Sequence, residues 1–241
     1  MMKNVVITGV GSGLGKEIAI QFKNQKDEFN VIGIDVFMPD DSYEYVDCFI
    51  RHDVRCNLFA EGSGIDGCDI LINNAGVNYI NNFEDISIAD WDRVIDTNVK
   101  SIFKMSKSFL SMLKESGGTI MNVVSNAHRM PMTHSAAYNA SKGAAEILTR
   151  QMARELTKRF GITVFGINPN KLSGTGMSNY IDDRVQELRG WTAEQAKEYQ
   201  MTSLLSGEET NPEDVAELVV WLLSEKRRHK YLTGCLLDLG L

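Results

Sequence analysis

The sequence has no surplus of positive charge: 25 Lys and Arg stand against 32 Asp and Glu, a formal net charge of −7, and the basic residues are scattered rather than gathered in a stripe. That excludes the broad electropositive face on which nucleic acid binds, so no nucleic-acid partner is expected. Long apolar runs are missing too. No window approaches the roughly 18 uninterrupted apolar residues of a membrane span, and no membrane partner is expected. Cysteine is scarce. Cys48, Cys56, Cys68 and Cys235 have neither the paired spacing of a zinc site nor the density of a disulfide scaffold, so reduced thiols and no bound metal are the expectation. The opening MMKNVVITGVGSGLG enters a strand-like run without a charged region, apolar stretch and cleavage site, and a cytoplasmic location is expected.

What is present is an ordinary globular composition, 43% hydrophobic and 24% charged, which rules out a disordered or fibrous chain. The length suits one domain over 1–241, and neither an internal repeat nor a linker divides it. Short apolar runs alternate with helical patterns. Strands are predicted over Asn4–Thr8, Asn30–Asp35, Cys48–Val54, Asp69–Asn73, 117–125 and 161–168, with a closing strand at 233–239. Between them come helices over Gly13–Gln25, from Ser87 to about Glu115 with a break near Asn98, over Ala136–Phe160, and over Val215–Ser224 behind an Asn211-Pro212 start. The third and fourth strands are separated by only about fifteen residues, so that crossover must be short. The stretch 171–209 reads as a helical insertion, with a capping box at Thr192 and Gln195. Sustained alternation predicts an α/β fold with a doubly wound parallel sheet, in one three-layer domain.

The run TGVGSGLG, Thr8–Gly15, sits between the first strand and the first helix. Gly9, Gly13 and Gly15 permit a tight turn and close backbone approach, and the helix N-terminus offers free N–H groups to a pyrophosphate. Asp35 ends the second strand about 20 residues on, where a carboxylate accepts both ribose hydroxyls and repels a 2′-phosphate. Val36, Phe37 and Ser12 bring no cation there. NAD is therefore favoured over NADP.

Tyr138 and Lys142 are four apart, neighbours on one helix face at about 5–6 Å between Cβ atoms. A free phenol near about pH 10 is a poor proton exchanger at neutral pH, and an adjacent ammonium favours its phenolate. The pair makes a general acid/base.

Together with TGVGSGLG, the NNAG of 73–76, Asn98 in DTNVKS and Ser125 thirteen residues before Tyr138, this pair closely resembles the short-chain dehydrogenase/reductase family, from Val5 to the C-terminal LTGCLLDLG. Ser12, where the extended branch has glycine, indicates the compact branch with a Rossmann fold. The resemblance implies an NAD-dependent oxidoreductase that interconverts a secondary alcohol and a ketone. It assigns proton exchange to Tyr138, positioning of the substrate oxygen to Ser125, pKa depression and ribose binding to Lys142, and a relay water to Asn98. It places Asn74, Ala75 and Gly76 beside the adenosine ribose, Asp53 and Val54 against adenine, and Ser12, Leu14, Pro169 and Leu172 on the cofactor side. It also implies a homodimer or homotetramer built through the helices at about 98–115 and 136–160, with Leu241 ending an element that often joins such interfaces.

The chain departs from the family pattern after the sixth strand. Asn170 follows Pro169 where glycine is usual, a residue tolerant of a left-handed backbone. Gly174 stands where a threonine is expected, leaving Ser173 or Thr175 as its substitute. Within SNAHRMPMTHSAAY, His128, Arg129 and His134 either meet a polar substrate or face solvent above packed Met130 and Met132. Arg184 and Arg189 either meet a substrate carboxylate or are exposed helix charges. The competing reading is a nucleotide-binding sensor of NAD state, favoured only by Asn170 and Gly174 and opposed by the intact Asn98, Ser125, Tyr138 and Lys142.

Overall fold

The computed structural model describes residues 2–25, 28–57, 64–202 and 204–240. Its elements follow as β1 (Lys3–Thr8), α1 (Gly13–Asn24), β2 (Phe29–Asp35), β3 (Cys48–Arg51), β4 (Ile70–Asn73), α2 (Ile88–Ile95), α3 (Ser101–Ser108), α4 (Leu110–Ser116), β5 (Thr119–Val123), α5 (Ala136–Phe160), β6 (Thr163–Pro169), α6 (Gly176–Arg189), α7 (Ala193–Thr202), α8 (Pro212–Ser224) and β7 (Leu236–Leu239). All seven strands are parallel, in the order β3-β2-β1-β4-β5-β6-β7. This is the expected doubly wound sheet. Its central strands are unbroken apolar runs such as Val5-Val6-Ile7 and Ile70-Leu71-Ile72, because helices cover both faces and neither side meets water. On one face Ile18 and Phe22 of α1 pack with Val215, Val219 and Leu223 of α8. On the other lie Ile102 and Met105 of α3, Leu113 of α4, and Ala145 and Met152 of α5.

The strand order reverses between β1 and β4, and in open α/β sheets the crevice outside the carboxyl ends at such a point is where ligands bind. Buried amides hold α5 to this region. Asn73 Nδ2 donates to Asn122 Oδ1 at 2.8 Å, and Asn122 Nδ2 donates to Thr149 Oγ1 on α5 at 2.9 Å.

The third strand is shorter than expected for a local reason, and the expected break near Asn98 takes a defined form. The third strand stops at Arg51 rather than Val54, because the Asp53 carboxylate accepts from the Arg55 backbone N–H at 2.9 Å and turns the chain. The break near Asn98 is a single π-helical turn, Asp96–Lys100, between α2 and α3. Such turns occur frequently at functional sites. Part of the short crossover between β3 and β4, residues 58–63, lies outside the described residues, as does Leu241. The insertion forms α6 and α7: Thr175 caps α6 by accepting from Ser178 N at 3.2 Å, and the Thr192–Gln195 box closes reciprocally at 2.9 and 3.3 Å. The four cysteines are unpaired. Among the described residues no helix is long and apolar enough to cross a membrane.

Candidate active site

At the end of β1 the glycine turn is shaped by contact. Gly9 and Gly13 take φ of +74° and +55°, which residues with a Cβ rarely adopt. A Cβ on Gly15 would stand 2.1 Å from the Gly9 carbonyl oxygen, so no side chain fits there. Gly13 is open toward the cleft, with Thr175 Cγ2 nearest at 3.6 Å from where its Cβ would be. Ser12, at the start of α1, makes no capping bond with its hydroxyl, so that hydroxyl and the first N–H groups of the helix suit a pyrophosphate. Asp35 is half-buried beside the turn and accepts from Gly11 N at 2.9 Å and Phe37 N at 3.1 Å. A carboxylate has about four lone-pair sites, which leaves capacity for ribose hydroxyls. The turn and Asp35 together fit a dinucleotide.

Two sequence expectations change at this end. Asn74 lines the cleft, but its amide turns back to donate to the Thr8 and Gly9 carbonyls at 3.0 and 3.1 Å. It fastens the turn to β4, leaving Ala75 and Gly76 to face a ribose. Asp53 and Val54 line the cleft as expected, with the Asp53 carboxylate held 2.6 Å from Arg55, which keeps it below the usual carboxylate range. Finally, parallel pairing sets Arg51 beside Asp35. Its Nε donates to the Val36 carbonyl at 3.1 Å, so a cation stands near a position where the local sequence offers none.

One continuous cleft of about 800 Å³ joins this turn to Ser125, Tyr138 and Lys142. Tyr138 and Lys142 are 8% and 4% exposed, and Lys142 Nζ lies 5.5 Å from the Tyr138 ring centre. Lys142 Nζ donates to the Val123 carbonyl at 3.0 Å. The expected depression of the tyrosine by the lysine is absent. Burial pushes the phenol up, with the Ser125 hydroxyl hydrogen-bonded to it and pulling the other way, and burial brings Lys142 down to about 8. Desolvation disfavours the charged form of both groups, and the lysine spends a hydrogen bond on Val123.

Asn98 is 1% exposed and its side chain is committed: Oδ1 accepts from Val77 N at 2.8 Å, while Nδ2 donates to Val77 O and Ser141 Oγ, each at 2.9 Å. Its amide therefore braces the π turn against α5 and against Val77, which follows the NNAG segment. Gly76 lies between them, since a Cβ there would meet Asn98 Oδ1 at 3.4 Å and Lys142 Nζ at 3.7 Å.

The serine loop reverses its expected sides. The His128 side chain is fully buried, its Nδ1 against the Ser125 carbonyl and its Nε2 3.2 Å from Glu146 on α5, without hydrogen-bond alignment. Arg129 pairs with Asp238 at 2.9 Å. Met130 and Met132 are 52% and 40% exposed and line the cleft with Thr133. The peptide connecting Ser125 to Tyr138 is thus clamped through its histidine, while its methionines face the substrate space. Asn170 does not take a left-handed backbone; among the described non-glycine residues only His134 does. Its Oδ1 accepts from Thr210 Oγ1 at 2.6 Å and its N–H donates to Leu239 O at 3.0 Å. Of the two substitutes for the missing threonine, Thr175 lines the cleft with Pro169 and Leu172, and Ser173 does not.

A family model described as short chain dehydrogenase matches residues 46–186. The chain is 30% identical to 2-(S)-hydroxypropyl-CoM dehydrogenase 3 of Xanthobacter autotrophicus, over 95% of this chain and 92% of that one. It is 29% identical to 3-oxoacyl-acyl-carrier-protein reductase FabG of Staphylococcus aureus, over 97% and 95%. Among solved structures, actinorhodin polyketide ketoreductase with NADPH superposes with a TM-score of 0.86 at 25% identity, covering 99% of this chain and 95% of that one. The 3-ketoacyl-(acyl-carrier-protein) reductase of Brucella melitensis complexed with NADH gives 0.82 at 25% identity, covering 99% and 96%. With its parallel sheet, its glycine turn and the convergence of Ser125, Tyr138 and Lys142 in one cleft, the chain belongs to the short-chain dehydrogenase/reductase family of nicotinamide-dependent oxidoreductases.

Proposed function

We propose that this protein is an NAD-dependent oxidoreductase that interconverts a secondary alcohol and its ketone. The observation that carries the reading is the burial of Tyr138 and Lys142 with Ser125 at one part of a cleft whose other end is the Gly9–Gly15 turn and Asp35. Bound across that cleft, NAD supplies the hydride acceptor and NADH the donor. Gly9, Ser12, Gly13, Leu14 and Gly15 would hold the pyrophosphate, Asp35 the adenosine ribose, Asp53 and Val54 the adenine, and Ala75, Gly76, Pro169, Leu172 and Thr175 the remaining walls. Lys142, aimed by the Val123 carbonyl, would hold the nicotinamide ribose.

The Tyr138 oxygen takes the hydroxyl proton as an alcohol is oxidised and returns it to the carbonyl oxygen in reduction. Ser125 hydrogen-bonds the same oxygen and sets its distance from the phenol. The raised pKa of Tyr138 favours it as the proton donor of a reductase, and the Ser125 hydroxyl hydrogen-bonded to it stabilises the phenolate left behind. NAD rather than NADP is supported by the Asp35 carboxylate and by the pairing of Arg55 with Asp53. A homodimer or homotetramer is part of the reading, supported by Phe103 on α3 and Ile147 on α5, 54% and 66% exposed; sedimentation of wild type and Ile147→Glu tests it. The unpaired thiols support a cytoplasmic setting.

The test is a screen of alcohols, polyols and hydroxy acids with NAD, and of matching ketones with NADH, followed by NADH absorbance. Wild type is expected to turn over at least one pair, with Tyr138→Phe slower by about 10² or more. A protein that binds NADH and turns over nothing, or a phenylalanine variant at full rate, overturns the reading.

A further inference from the structure

The insertion lines the part of the cleft beyond Tyr138, and one cation there has no carboxylate partner among the described residues. Arg189, the last residue of α6, lines the cleft with Thr133 and Tyr199. Its guanidinium carbon lies 4.5 Å from the Trp191 ring centre and 4.8 Å from that of Tyr199, in the angle between two rings packed edge to face with centroids 5.2 Å apart. One terminal nitrogen donates to Thr133 Oγ1, and Nε is buried with no acceptor. Among the described residues no carboxylate lies within ion-pair distance of it. Of the other cations lining the cleft, Lys171 is neutralised by Asp182 at 2.5 Å and Glu209 at 2.7 Å, and Arg93 lies over the Tyr79 ring at 5.8 Å from its centre. The only described carboxylates that line the cleft, Asp35 and Asp53, belong to the nucleotide end.

An arginine held rigid by aromatic faces keeps its planar donor edge, and its charge is compensated by neither ring nor hydroxyl. The same edge is the shape that a carboxylate takes in two parallel hydrogen bonds. Between Arg189 and the catalytic groups the walls are apolar, from Ile80, Met130, Ile181, Val185 and Leu204. Arg189 is also tied through Thr133 to the peptide that leads into Tyr138, so an anion seated on it is placed relative to the phenol.

We infer that Arg189 is the anchor for a carboxylate at the far end of an apolar-bodied substrate, and that the substrates of this protein are hydroxy acids and keto acids rather than neutral alcohols and ketones. This rests on the dehydrogenase reading of the cleft, but it is testable by binding alone. The probes are hexanoate and its neutral isostere hexanamide, titrated into the protein carrying Trp91→Phe and Trp221→Phe, so that the fluorescence of Trp191 reports contact at Arg189. Hexanoate should bind at least about tenfold more tightly than hexanamide. Arg189→Met should bring the two within about twofold, and Arg189→Lys, which keeps the charge but not the fork, should fall between. If the methionine variant fails to fold by circular dichroism, Arg189→Gln serves in its place. No saturable response to hexanoate, equal binding of the amide, or a preference that survives loss of the cation each overturns the inference. Turnover of neutral ketones with NADH alongside any of these leaves the dehydrogenase reading standing and the carboxylate anchor refuted.

Discussion

Lys142 donates its ammonium to the Val123 carbonyl at 3.0 Å while standing 5.5 Å from the centre of the Tyr138 ring. The backbone of β5, through that carbonyl, therefore aims the lysine. Burial with only this acceptor brings its pKa from 10.5 down to about 8. Below about 8 the native protein carries a buried ammonium at its full cost. Between about 8 and 10.5 the unfolded chain holds a proton that the native chain has released, so stability rises with pH across that window. The effect amounts to about 3 kcal/mol at about 1.4 kcal/mol per pH unit. Carbon-13 NMR of the Lys142 side chain in the cofactor-free protein should show a midpoint near 8. The stability of wild type relative to Lys142→Met should climb from pH 8 to 10. A midpoint above 10 sinks both expectations.

In the proposed function Asp35 discriminates against a 2′-phosphate, and strand register sets Arg51 beside it. At an effective dielectric constant of about 20, two like charges 4 Å apart repel by about 4 kcal/mol, enough to account for a strong preference against a 2′-phosphate. Asp35→Asn keeps an acceptor for Gly11 N and removes the charge, leaving Arg51 beside it in the strand register. The ratio of kcat/KM for NAD over NADP should fall at least about tenfold in this variant, chiefly through a lower KM for NADP. Adding Arg51→Gln should take back part of that gain. An unchanged ratio in Asp35→Asn removes the role given to the carboxylate.

Asn98→Ala tests whether the π turn is held by side-chain chemistry. The substitution deletes three hydrogen bonds and leaves the Val77 N–H and C=O without their partner in a buried place. Each unsatisfied buried group costs about 1–3 kcal/mol, so a loss of about 2–4 kcal/mol in urea denaturation is expected. Because Gly76 adjoins both Asn98 and Lys142, kcat should fall as well. A loss below about 1 kcal/mol shows the turn to be held by packing instead.

What could be read from the sequence was whatever depends on near neighbours in the chain. The bounds of α5 at Ala136 and Phe160 were legible because its periodic pattern stops at Gly161. Tyr138 and Lys142 were legible because their spacing is a helical repeat, and Ser125 because it closes a strand thirteen residues earlier. The serine loop was not. Burial of His128 depends on Glu146, 18 positions away on α5, and once the histidine turns inward Met130 and Met132 must turn out. Arg51 meets Asp35 only through strand register. The fall in the Lys142 pKa is likewise tertiary, since a helical spacing gives proximity but says nothing of the water removed around both groups.

A last prediction concerns stability in acid and a histidine far from the chemistry. His229 is 2% exposed; its Nδ1 faces the Leu222 carbonyl at 2.8 Å and its Nε2 faces the Thr119 hydroxyl at 2.9 Å. Since a carbonyl only accepts, Nδ1 carries a proton, and in the neutral ring Nε2 accepts from the Thr119 hydroxyl. Burial lowers its pKa, and the nearby Lys226 and Lys3 cations add to the effect. As pH falls through 6.5 the unfolded chain gains a proton that the native chain still refuses. Stability therefore drops until the lower native pKa is reached, and then levels. His229→Leu loses both hydrogen bonds at every pH but has no such titration. Denaturant midpoints of wild type and variant should therefore converge between pH 7.5 and pH 5, by up to about 1.4 kcal/mol per unit of pH. A difference that stays constant across that range means that His229 takes up its proton at the same pH in the native and the unfolded chain, with Nε2 then donating to the Thr119 hydroxyl, and it overturns the prediction.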